Sequence, residues 1–361
     1  MSKNRGPLTI LGANTIAHYE NEDLVAQERY KNSFRAKVIS GLRTILRGSH
    51  YLLEKYITNA YIDKAFDLIA RNPSSLLICS CLVSADIVRR GHFPNPVVIL
   101  TQNDEVAWFR QMRRNEINPL GKMAAHISVK WLMCFLQKHA DDYTFAHITE
   151  SDSVAYGKYM PGHKRLVVPA GVDVYPLTII PEWDGKIRLL FCGSLSAKMN
   201  NDALLNFAGV YWPALEKCLG GRLEVWVAGS HPTIVVRRLC AKYMWNLYFD
   251  LPDDVLRDLY RRATFSILPF AYTAGTKIKL LNSLAAGLPV LATANMKYLP
   301  EQDFEPNLYS DDPEDWCEHL VRFVQEGVQS NDRALCQKFI SRYSWQSIAF
   351  EMDQKLREAN L

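Results

Sequence analysis

The chain has 361 residues, 48% of them hydrophobic and 22% charged, with a formal net charge of +4. This composition excludes an extended disordered chain, and the charge is too small to argue for a nucleic-acid partner. The length exceeds what one hydrophobic core usually spans, so two domains are expected. The charge is unevenly placed: residues 1–180 hold 22 Lys and Arg against 16 Asp and Glu, and the remainder holds 20 against 22. A basic first half suits an anionic membrane surface or a phosphate-bearing acceptor, and equally an ordinary solvated face.

In chain order, Leu8–Leu11 reads as a strand ending at Gly12, and residues 13–35 are polar with no glycine loop. Residues 38–71 read as mostly helical. Ser75–Ser80 and Val97–Thr101 read as parallel core strands, followed by a long helix over Pro119–His139 and short strands at Tyr143–Thr149 and Arg165–Pro169. Pro169–Trp183, rich in Pro and Gly, is the favoured boundary region. Beyond it, apolar runs at Ile187–Cys192, Leu223–Ala228, Leu247–Leu251, Phe265–Pro269 and Pro289–Ala292 alternate with helical patterns near 201–217, 252–262 and 276–286. That alternation predicts βαβ units and a parallel sheet covered on both faces. The eight cysteines show no metal spacing, Cys79-x-Cys81 included, and read as small buried hydrophobes in a reducing compartment. No signal peptide or membrane-length apolar run is seen, so a cytoplasmic chain is expected, attached at most to the inner face of a membrane.

Two loops in the second half follow strands, where open α/β sheets bind ligands. In Gly193–Asn201, Gly193 lets a ligand approach the backbone, Ser194 follows it, and Lys198 offers a charge to a phosphate. The other loop, Pro269–Lys279, runs into a helix near Thr276, whose free N–H groups form an anion site. Lys277 and Lys279 oppose the helix dipole there, a cost that an anionic ligand offsets. Read singly, these features are equally a plain turn and two lysines reaching water.

Val167–Asp173, Phe191–Asp202, Pro269–Ala292 and Arg342–Trp345, in this order and spacing, resemble segments of the retaining GT-B glycosyltransferases, the large family that includes sucrose synthases and many bacterial polysaccharide enzymes. Gln102–Glu105 resembles an acceptor-side loop of its bacterial members. The resemblance implies an α/β fold of two Rossmann-like parallel-sheet domains facing across a cleft: an acceptor domain over residues 1–172, a donor domain over 173–345, and a C-terminal helix over 346–361 returning to the first. It implies transfer of a sugar from a nucleotide-sugar to a saccharide or lipid-linked acceptor, with no metal and no further cofactor, in polysaccharide or glycolipid synthesis. Gly193, Ser194 and Lys198 would face the diphosphate, together with the amides of Gly275, Thr276 and Lys277. The nucleotide base would lie near Leu251. Asn282 falls where the family usually carries a ribose-binding glutamate, and Ala274 where it carries another. Gln102 stands at the position of a histidine near the sugar. Asp86 and Glu105 are alternative acceptor-site carboxylates, while His126, His139 and His147 read as structural.

By the same resemblance, Leu8–Leu11 corresponds to the second strand of the acceptor domain, which would then be reduced. These departures motivate an alternative: a catalytically impaired module that binds a nucleotide, sugar or protein partner. A sugar-nucleotide epimerase is a third reading, for which no acid/base set is placed. Arg110, Arg113, Arg114, Lys122, Lys130 and Lys138, interleaved with Trp131, Leu132, Met133 and Phe135, suit a membrane-surface helix or a core helix with a basic outer face.

Overall fold

The structure, a computed structural model, describes residues 8–11, 15–20, 23–29, 34–57, 59–173, 184–272, 277–297, 307–326, 339 and 341–359. The chain divides into two compact units, Met1–Pro169 with Phe350–Leu361, and Ala170–Ala349. Of the expected boundary stretch, residues 174–183 lie outside the described residues.

The first unit is built on strands β1 (Leu8–Leu11), β2 (Thr15–Glu20), β3 (Asp23–Arg29), β4 (Leu76–Cys79), β5 (Val97–Thr101), β6 (Thr144–His147) and β7 (Arg165–Val167). They form one sheet in the order β3-β2-β1-β4-β5-β6-β7. From β1 to β7 the pairing is parallel, while β2 and β3 are antiparallel. Two expectations are corrected. Beside β4, β1 occupies the first place of the doubly wound order, not the second. The sheet is also not shortened, because a hairpin fills the places that a crossover helix and two parallel strands would otherwise supply.

Helices α1 (Phe34–Arg47), α2 (Tyr51–Tyr56), α3 (Asn59–Arg71), α4 (Leu82–Gly91), α5 (Glu105–Asn115), α6 (Pro119–His139) and α7 (Glu150–Gly157) complete this unit. Tyr61, Leu77, Ile99, Phe109, Leu132 and Phe145 are buried in its core. Each such side chain contributes on the order of 1.5–3 kcal/mol through removal from water. The interleaved apolar residues of α6 face this core: Leu132 and Phe135 are buried, with Trp131 and Met133 packed on the cluster. They are therefore not a membrane face, and the lysines of α6 lie outside.

The second unit carries β8 (Ile187–Cys192), β9 (Leu223–Gly229), β10 (Asn246–Phe249), β11 (Phe265–Leu268), β12 (Val290–Ala292) and β13 (Leu308–Tyr309). All pairs are parallel, in the order β10-β9-β8-β11-β12-β13. Renumbered from β8, this is 3-2-1-4-5-6, so the order reverses between β8 and β11. Helix α8 (Lys198–Asn206) runs through a π-helical turn, Phe207–Tyr211, into α9 (Trp212–Leu219). Then come α10 (Ile234–Tyr243), α11 (Asp253–Arg262), α12 (Ile278–Ala285) and α13 (Pro313–Glu326).

The segments Val167–Asp173 and Arg342–Trp345, far apart in sequence, meet: Val172 N donates to Tyr343 O at 2.8 Å and Trp345 N to Val172 O at 3.3 Å. A β-carbon on Gly171 would lie 2.4 Å from the Trp345 ring, so only glycine fits there. In the last helix (Trp345–Glu358), Lys355 Nζ donates to Val167 O at the end of β7, at 2.6 Å.

Cys79, Cys240 and Cys317 are buried, whereas Cys134 and Cys218 are exposed, against the expectation of uniformly buried thiols. Cys336 lies outside the described residues.

Candidate active site

The carboxyl ends of β8 and β11 flank the switch point of the second sheet. The loop after β8 is held by its own helix. Asn200 Nδ2 donates to Ser194 O at 2.7 Å, Asn201 Nδ2 donates to Leu195 O at 2.9 Å, and Thr233 Oγ1 donates to Asn201 Oδ1 at 2.5 Å. Leu195 N donates to Ser230 O at 2.8 Å, which binds this loop to the one after β9. The two loops touch through glycine: a β-carbon on Gly229 would sit 1.8 Å from Gly193 O. On Gly193 itself, a β-carbon would meet Lys279 Cε at 2.5 Å.

Lys279 is thus laid across the backbone of Gly193 from the first turn of α12, and its ammonium lies 5.4 Å from the Phe270 ring centroid. No described carboxylate pairs with it, and burial lowers its pKa. Lys277, the N-cap of α12, is likewise half-buried with its pKa lowered by burial.

Helix caps differ among the elements at the ends of the strands. The starts of α5, α7 and α10 are capped by the side chains of Asp104, Thr149 and Thr233. Neither α8 nor α12 has a side-chain cap or an acidic residue in its first turn. Both helices that leave the switch point therefore begin with N–H groups that no side chain takes up, at the positive end of the dipole. Together with Lys277 and Lys279, this arrangement fits a diphosphate.

The other expected residues fall as follows. Ser194 is exposed, its hydroxyl 3.1 Å from that of Ser196. Lys198, 85% exposed at its side chain, is paired with Asp202 at 2.6 Å. Tyr272 donates to the same carboxylate oxygen at 2.5 Å. These two hydrogen bonds, Lys198's first, hold the Asp202 pKa down. Gly275 and Thr276 lie outside the described residues, as does Ala274. Asn282 is half-buried on α12, and its carbonyl accepts from Ala286 N. Leu251 lies two residues past β10, after Asp250 in the left-handed region (φ 52°), and its side chain packs on the core around Trp226 and Tyr260. Lys279, Asn200, Asn201 and Gly229 carry more of the local geometry than a reading of single residues assigns them.

In the first unit, Gln102 is exposed at the end of β5, and its Nε2 lies 3.4 Å from Ser80 O. Asp86 is buried with both carboxylate oxygens bound, one by Arg89 and the other by Arg90, which makes it a structural group. Glu105 differs. Burial pushes its carboxyl up to about 7, against a smaller lowering by a hydrogen bond from the Leu82 amide at the start of α4. Its Oε2 is buried and unpartnered. His147 is fully buried, with Nδ1 2.8 Å from the Thr101 hydroxyl and Nε2 3.1 Å from His163 Nε2. Burial first, then His163, lowers its pKa to about 4. His126 contacts Arg113 and His139 contacts Asp142. Among the described residues no cluster of His, Cys, Asp and Glu could hold a metal, and no helix is long and apolar enough to cross a membrane.

No curated protein matches the sequence. Among solved structures, the chain is similar to TarM (TM-score 0.58, 13% identity, covering 84% of this chain and 60% of that one). It is similar to the sucrose-phosphate synthase of Thermosynechococcus elongatus (0.58, 14%, 85% and 81%). It is also similar to a UDP-forming α,α-trehalose-phosphate synthase of Burkholderia xenovorans (0.59, 11%, 99% and 91%). At these identities the likeness shows the fold. The family described as glycosyl transferases group 1 matches residues 186–326. The match thus falls within the second unit, in a chain whose two α/β domains have the GT-B fold.

Proposed function

We propose that the protein moves a sugar from a nucleotide-sugar to a saccharide or lipid-linked acceptor with retention at the anomeric carbon, in polysaccharide or glycolipid synthesis, in contact with a membrane. The observation that carries this reading is the pair of uncapped helices at the switch point, with Lys279 lying across Gly193. In the reaction, the bond from the anomeric carbon to the diphosphate oxygen breaks and a bond to the acceptor hydroxyl oxygen forms on the same face. The hydroxyl proton passes to an oxygen of the departing diphosphate. Helix N-termini and lysines that stabilise the developing charge supply what a metal would otherwise supply. Gly193, Ser194, the Gly275–Lys277 segment and Lys198 are proposed to face the diphosphate, Asn282 the ribose and the backbone near Leu251 the base. Gln102 is proposed to face the acceptor.

The test is a thermal-shift screen with UDP, GDP, ADP and dTDP sugars, followed by nucleotide-release assays with whichever donor stabilises the protein. Stabilisation by one nucleotide class together with release of its diphosphate supports the proposal. Binding without turnover would favour the module that binds but does not transfer, a reading to which Asn282 gives its motive. No stabilisation by any nucleotide-sugar would overturn both.

A further inference from the structure

Helix α1 has its polarity reversed. Its buried face carries Ser40 (2% exposed) and Thr44 (0%), while Ile39 (48%), Leu42 (47%) and Leu46 (84%) face outward. At 3.6 residues per turn, these three apolar side chains fall on one stripe, with Arg43 and Arg47 along its edge. Ser40 Oγ donates to Glu54 O at 3.0 Å, whereas the buried Thr44 hydroxyl has no partner among the described residues. A helix in contact with water alone would place these residues the other way round.

The helix that carries the stripe and α6 are both cationic. Neither α1 nor α6, which packs against it, contains an Asp or Glu in its sequence. Tyr51 N donates to Ser128 Oγ at 3.0 Å, which holds the turn after α1 on α6. Lys122, Lys130 and Lys138 of α6 are exposed. Arg47 pairs with Glu54 at 3.3 Å, but no described carboxylate pairs with Arg43.

We infer that the Ile39–Leu42–Leu46 face of α1 docks on an anionic phospholipid surface. The leucines would sit at the headgroup/acyl boundary, with Arg43 at headgroup level. This deepens the membrane contact proposed above and rests on that reading, but it assumes nothing about sugar transfer. A second copy of the chain is a poorer occupant, since a two-fold contact would bring Arg43 against itself amid cationic helices. An anionic bilayer instead attracts each cation and takes up the apolar stripe.

The test is flotation with vesicles of phosphatidylcholine alone, or with roughly a third phosphatidylglycerol. The full chain is compared with Leu42→Ser/Leu46→Ser and with Arg43→Glu. The wild type should float with anionic vesicles only, and less at high salt. Each variant should lose roughly tenfold in apparent affinity. All three positions are solvent-facing, so thermal unfolding should change little, and nucleotide binding by the second unit serves as a separate control. The inference is overturned if the wild type ignores anionic vesicles or if the double variant floats as well as the wild type. A concentration-dependent dimer abolished by Leu42→Ser/Leu46→Ser would also overturn it, in favour of a second copy.

Discussion

Replacing Lys279 by methionine should move stability and ligand affinity in opposite directions. The stem lies against Gly193, and its ammonium is half-buried over Phe270 without a described carboxylate partner. Burial holds its pKa below the usual lysine range, so the charge opposes folding in the empty protein. Methionine keeps the stem and removes the charge, so unfolding without ligand should shift by between zero and about 1 kcal/mol toward greater stability. A diphosphate reverses the balance. Two unit charges 4 Å apart interact by about 4 kcal/mol at an effective dielectric near 20, and ordering the lysine offsets part of that. A net loss of about 1.5–3 kcal/mol is the expectation, or a roughly 10- to 150-fold rise in Kd. The assay is calorimetric titration with whichever nucleoside diphosphate stabilises the wild type, alongside the parent nucleoside, whose weaker binding should be unaffected. A base whose folded pKa is lowered binds fewer protons in the native state, so its penalty fades as pH rises through that pKa, and the variant should lack this rise. Diphosphate affinity within about twofold of wild type, on the scale where tenfold is 1.4 kcal/mol, would refute the assignment. So would a clear loss of stability in the empty protein.

Two further outcomes follow from packing and burial. Gly229→Ala would drive a methyl group into Gly193 O, 1.8 Å from its ideal position, so the loops after β8 and β9 must separate. Urea unfolding should show a loss of about 2–4 kcal/mol, with nucleotide binding impaired beyond that attributable to unfolding. For Glu105, the carboxyl raised to about 7 in the folded chain contributes stability that is present below its ordinary pKa of 4.5 and is lost as pH rises through 7. A shift of this size corresponds to as much as ~3 kcal/mol lost between those limits. Glu105→Gln, which keeps an acceptor for the Leu82 amide, should flatten that part of the curve in urea titrations at several pH values.

The central parallel strands were legible because they are buried and read as largely apolar runs. Val97–Thr101 and Phe265–Leu268 are instances. Helix α6 was legible from Pro119, at its first position, to His139. The hairpin β2–β3 was missed because His18, Glu20, Asp23, Gln27, Glu28 and Arg29 interrupt its apolar residues, and an antiparallel edge needs no continuous run. At the site, the position of Gly193 after a strand could be read, but not its reason. That reason is contact with Gly229 and Lys279, which lie 36 and 86 residues away in sequence. Glu105 was visible only as one carboxylate among several. What distinguishes it is an unpartnered oxygen at the start of α4, which only the packed chain creates.

The two sheets share a strand order through their first six strands but differ at the edge where ligands gather. In the second unit, the helices leaving β8 and β11 start without acids or side-chain caps, and lysines stand at both starts. In the first unit, Asp104 caps α5, Thr149 caps α7 with Glu150 and Asp152 in its first turn, and the Leu82 amide of α4 bonds Glu105. Each of these acids occupies or repels the place that a phosphate would take, since a helix start has few N–H donors to share. The division of labour proposed here therefore has a basis apart from any likeness to other proteins. Phosphates are favoured at the edge of the second sheet, and uncharged hydroxyls at that of the first. An acceptor approaching Gln102 would present its sugar end to that edge, and any lipid phosphate would be better accommodated near the arginines and lysines of α1 and α6.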